Sequence, residues 1–106
     1  MKKHATLKTE MANLEQIRWQ LQQHKPEWVK RYGLSKMAVF GSYARNQHSH
    51  DSDVDILVEF DRPIGIAFID LADELEQLLC LKVDLVSRGG IKENHFKAIE
   101  EDLQYV

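Results

Sequence analysis

The stretch Val39–Phe60, V-F-G-S-Y-A-R-N-Q-H-S-H-D-S-D-V-D-I-L-V-E-F, joins an apolar strand to a Gly-Ser turn and then to a second strand that carries two aspartates. Gly41 and Ser42 close the first apolar run, and Ser-Tyr-Ala-Arg can open a short helix whose free amide groups point back toward the turn. Such a turn can hold a phosphate, because unsatisfied N–H groups at a helix start attract anions. Asp53 and Asp55 stand two apart ahead of Ile56-Leu57-Val58, so in a strand both carboxylates project from one face. Two like charges side by side call for a cation. The combination predicts a magnesium-nucleotide site, with the carboxylates on the metal and the metal on phosphate oxygens. Taken singly, the turn also reads as an ordinary strand-to-helix connection and the aspartates as a solvated strand end.

Working outward, Lys36–Phe40 reads as a first strand, covered on both faces because Met37, Ala38, Val39 and Phe40 show no polar alternation. Residues 46–52 form a polar loop. Its His48 and His50 read as solvated rather than metal-ligating, since no third nitrogen or sulfur ligand lies near them, and Asp51 reads as a loop residue. Val54–Phe60 is the second strand, ended by the turn Asp61-Arg62-Pro63. A helix follows, with Phe68, Leu71, Ala72, Leu75, Leu78 and Leu79 on one apolar stripe and Asp73, Glu74, Glu76 and Gln77 facing water. Cys80, at its end, reads as a buried thiol. Residues 81–86 make a third strand, with Val83 and Leu85 on one face and Lys82, Asp84 and Val86 on the other. Asp84 interrupts an apolar segment and needs exposure or a partner.

Toward the N-terminus, residues 1–8 carry no periodic pattern and are expected to fray. Met11, Leu14, Ile17 and Leu21 mark a helix face with Thr9 as N-cap. Pro26 predicts an end to that helix near His24-Lys25 and a second short helix from Pro26 to Tyr32, with Gly33 as its C-cap. Toward the C-terminus, Gly89-Gly90 is a hinge, residues 91–102 a last helix, and residues 103–106 an apolar tail able to dock on the core.

A chain of 106 residues gives one domain, expected to span residues 9–106, with no room for a separate acceptor domain. Fourteen Lys and Arg against seventeen Asp and Glu give a net charge of −3, which argues against a general nucleic-acid surface. One cysteine excludes an internal disulfide. No apolar run approaches the ~18–20 residues of a membrane span, and no signal-peptide core is present, so a cytoplasmic location is expected.

The pattern apolar-Gly-Ser, ten residues, Asp-apolar-Asp-apolar, in Phe40-Gly41-Ser42 and Asp53-Val54-Asp55-Ile56, resembles the DNA polymerase beta-like nucleotidyltransferase superfamily. G-S-Y-A-R followed by D-S-D-V-D-I-L-V-E-F is similar to its minimal, MntA-like members, which are often encoded beside a HEPN-domain partner. The resemblance covers roughly residues 10–106. It implies an α/β (α+β) fold with a small mixed sheet flanked by helices. It also implies AMP transfer from ATP with two Mg2+ ions held by Asp53, Asp55 and a third acidic residue, which V-D-L-V places at Asp84. Asp84 would also serve as general base. Gly41 and Ser42 would hold phosphate, while Arg45 reads either as a phosphate contact or as a surface or partner contact. The family commonly has Ala-Arg-Gly where this chain has Ala44-Arg45-Asn46, a mild departure because asparagine tolerates left-handed angles.

The implied acceptor is a tyrosine of a HEPN ribonuclease toxin, silenced by this chain as the antitoxin of a type VII pair, in a hetero-oligomer. Two alternatives stand beside it. One is a non-catalytic antitoxin that neutralises its HEPN partner by binding, and the other is a nucleotidyltransferase acting on a small hydroxylated molecule.

Overall fold

The computed structural model describes residues 12–106. The expected frayed terminus, the Thr9 cap and Met11 lie outside the described residues. Helix α1 is Leu14–Tyr32, capped by Asn13, whose side chain accepts from the Gln16 amide at 3.0 Å. The expected break at Pro26 does not occur, and the helix runs through it. A proline inside a helix costs about 3 kcal/mol, and packing outweighs that here. Leu21 and Trp28, two turns apart on one face, are both fully buried, and each such side chain contributes about 1.5–3 kcal/mol. Trp28 Nε1 also donates to Glu74 Oε2 at 3.1 Å, which fixes the second half of the helix. Gly33 does end it, with φ 73° and its N–H returned to the last turn.

Strand β1, Leu34–Phe40, begins two residues earlier than the sequence pattern suggests. The turn α2 (Gly41–Ala44) follows, then β2 (Val54–Phe60), α3 (Ala67–Leu79), β3 (Val83–Ser87), α4 (Glu93–Ile99), a 3-10 turn at Glu100–Asp102 and β4 (Gln104–Tyr105). The sheet order is β3-β2-β1-β4, with β1 antiparallel to β2 and β4, and β2 parallel to β3. The apolar tail therefore docks as an edge strand. Val106 N donates to Met37 O at 3.0 Å.

One sheet face carries Met37, Val39, Val54, Ile56 and Val58, which form the core with Ile17, Leu21 and Trp28 of α1 and Leu71, Leu75 and Leu79 of α3. Strand periodicity then assigns Ala38, Phe40, Asp55, Leu57 and Asp84 to the other face. Ala38, Phe40 and Leu57 are buried there as well. Cys80 departs from expectation and is exposed. It ends α3 in the left-handed region, φ 57°, where it follows Leu79, the last side chain turned to the core. Among the described residues no helix is long and apolar enough to cross a membrane.

Candidate active site

The sheet face opposite the core brings the sequence-flagged residues to one end. In the register, Phe40 of β1 faces Asp55 of β2, and Asp55 faces Asp84 of β3. Gly41 therefore begins α2 directly beside the Asp55 carboxylate. It holds φ 75°, and a Cβ there would overlap Asp55 Oδ2, so both backbone angle and space demand glycine. Ser42 is half-buried in the same turn; its carbonyl accepts from Gln47 N at 2.8 Å, while its hydroxyl makes no hydrogen bond among the described residues.

The aspartates differ in setting. Asp55 is half-buried, whereas Asp53 and Asp84 are exposed. Burial, with the Asp84 and Asp53 carboxylates beside it, pushes the Asp55 carboxyl up to about 6, and Arg45 partly offsets this. Those are the marks of crowded carboxylates that one arginine only partly offsets. Among the described residues no three Asp, Glu, His or Cys side chains are close enough as they lie to hold a metal ion. The three carboxylates are gathered on one open face and are not closed into a cage. Hard oxygen donors in this number suit magnesium, which is commonly held by one or two carboxylates and completed by substrate phosphates and water.

Arg45 reaches Asp102 of the 3-10 turn, with Nη1 2.7 Å from Oδ2, and its Nε donates to Gln47 Oε1 at 3.2 Å. No sequence signal pointed to Asp102, which lies far along the chain at the end of the expected last helix. The two loop histidines part company. His50 and Asp51 are exposed, as expected. His48 is half-buried and stacked on Tyr43, ring centroids 4.0 Å apart, with Nε2 3.2 Å from Ala12 O. It braces the turn from behind. A groove of about 510 Å3 at the other end of β2 and β3, lined by Phe60, Arg62 and Arg88 among others, includes none of the three aspartates.

A family model described as a nucleotidyltransferase domain matches residues 21–106. A Methanocaldococcus jannaschii protein named provisionally as a protein adenylyltransferase is 46% identical over 98 residues, covering 91% of this chain and all of its own. The protein adenylyltransferase MntA of Thermococcus cleftensis is 43% identical over 97 residues, covering 91% of this chain and 98% of its own. A solved structure described provisionally as a minimal nucleotidyltransferase superposes with a TM-score of 0.75 at 29% identity, covering 89% of this chain and 96% of that one. A toxin-antitoxin crystal structure with AMP-PNP is matched with a TM-score of 0.55 at 27% identity, over 66% of this chain and 59% of that one.

Proposed function

This chain belongs to the nucleotidyltransferase family, as one of its minimal members, and we propose that it transfers AMP from ATP to a tyrosine hydroxyl of a HEPN ribonuclease toxin, silencing it. The observation that carries this reading is the pairing of Asp55 with Asp84 in the parallel register, directly beside the Gly41-Ser42 turn. The names of the full-length relatives support protein as the acceptor, and the AMP-PNP in the matched toxin-antitoxin structure supports an adenine triphosphate as donor.

Gly41 lets the backbone approach the triphosphate, and Ser42 donates its amide and hydroxyl to phosphate oxygens. Asp53, Asp55 and Asp84 would hold two magnesium ions, which when bound supply charge neutralisation to the triphosphate and the leaving pyrophosphate. The acceptor oxygen attacks the α-phosphorus, and Asp84, the exposed member of the cross-strand pair, takes the hydroxyl proton. The new phosphorus–oxygen bond forms as the bond to pyrophosphate breaks.

Co-expression with the toxin tests this. Wild type restores growth, and Asp53→Asn/Asp55→Asn, which leaves the surface shape intact, does not. Full rescue by that variant would transfer the antitoxin role to binding alone.

A further inference from the structure

The signature turn and the C-terminus meet through one ion pair. Arg45 and Asp102 are 57 residues apart and their side chains are 45% and 26% exposed, so water screens the pair only in part. Asp102 is itself held firmly. It closes the 3-10 turn that leads into β4, which pairs with β1. Arg18 Nη2 donates to Tyr105 O at 2.7 Å and Lys25 Nζ to Val106 O at 2.8 Å, tying the same segment to α1.

Arg45 is tethered from the other side too. Its amide donates to Gly41 O at 3.1 Å, which sets it at the end of the turn that borders Asp55. Asp102 takes Nη1 and Gln47 takes Nε, while Nη2 makes no hydrogen bond among the described residues. Two of the three guanidinium nitrogens thus fix the plane of the group, and the third keeps its donors. A guanidinium has five donors in a rigid fork, so one monodentate carboxylate orients it without exhausting it.

We propose that Asp102 is a positioning residue for nucleotide binding: from the docked C-terminal segment it holds Arg45 with Nη2 free to meet a triphosphate oxygen beside the Gly41-Ser42 turn. Asp102 does not touch the nucleotide and acts only through Arg45. This inference rests on the nucleotide site proposed above. It resolves the two sequence readings of Arg45 in favour of the phosphate contact, and it makes the C-terminal segment part of the site. Holding a flexible arginine in its bound orientation removes an ordering cost that binding would otherwise meet.

The test is the affinity for ATP with magnesium, measured by calorimetry on the full chain for wild type, Asp102→Asn, Arg45→Gln and the double variant. Asp102→Asn weakens ATP binding about three- to tenfold, Arg45→Gln weakens it at least as much, and the double variant matches Arg45→Gln alone. Asp102→Glu, which keeps the charge, recovers most of the loss. A merely structural Asp102 would lower thermal stability without this coupling. Additive losses, or tighter ATP binding in Asp102→Asn, would overturn the inference and leave the nucleotide site standing. Failure of the wild type itself to bind ATP would overturn both.

Discussion

Replacing Asp55 by asparagine should stabilise the protein in the absence of divalent cations while removing its chemistry. Burial and the neighbouring carboxylates of Asp84 and Asp53 raise the Asp55 carboxyl from 3.8 to about 6. The native state therefore binds this proton more tightly than the unfolded chain does. Between those two values the native state carries more protons, so stability falls as pH rises through the window and the loss is complete above it. A shift of about 2 units corresponds to a ceiling of about 3 kcal/mol. Asp55 is only half-buried and solvent screens it, so about 1–2 kcal/mol is the working figure. For a domain of this size that is a rise in Tm of about 5–10 °C. The assay is thermal or urea denaturation in EDTA at pH 7 and again at pH 4. Asp55→Asn exceeds wild type at pH 7, the gap narrows at pH 4, and magnesium raises wild type but not the variant. An asparagine variant no more stable than wild type at pH 7 would refute the electrostatic account of this cluster.

Three further outcomes follow from particular contacts. Gly41→Ala, forced to φ 75° with its Cβ against the Asp55 carboxylate, should lose about 1–3 kcal/mol in urea denaturation and all transferase activity. Pro26→Ala should raise stability by about 1–3 kcal/mol, since α1 already runs through this position and would regain a backbone hydrogen bond; a loss would show that proline is favoured there for its effect on the unfolded chain. His48→Ala should cost about 1–2 kcal/mol by removing the stack on Tyr43, whereas His50→Ala, at a fully solvated position, should stay within about 0.5 kcal/mol by the same denaturation curves.

The parts of the fold that depend on short-range pattern were legible in the sequence. Alternation along the strand read over residues 81–86 set Asp84 opposite the core-facing Val83 and Leu85, the two-residue spacing set Asp53 and Asp55 on one face, and the apolar stripe of α3 pointed its leucines inward. What was not legible depends on partners distant in the chain. Pro26 breaks a helix by local rules, but Trp28 is buried against the rest of the core and bonded to Glu74, which no local rule contains. Cys80 looked buried because it follows an apolar stripe. One further residue of helical rotation and a left-handed cap turn it to water. His48 looked like its neighbour His50 until the loop folded it against Tyr43. The Arg45–Asp102 pair joins segments that only the docking of β4 brings together. For the same reason the sequence flagged the carboxylates and the Gly41-Ser42 turn but not Asp102, the carboxylate that accepts from Arg45.

The most direct test of the central claim is the intact mass of a HEPN toxin, the proposed partner, after incubation with this chain, ATP and magnesium. The wild-type chain should add whole AMP units to the toxin, carried on a tyrosine, and the Asp53→Asn/Asp55→Asn chain should add none. An unmodified toxin held in a stable complex with the wild-type chain would contradict the account.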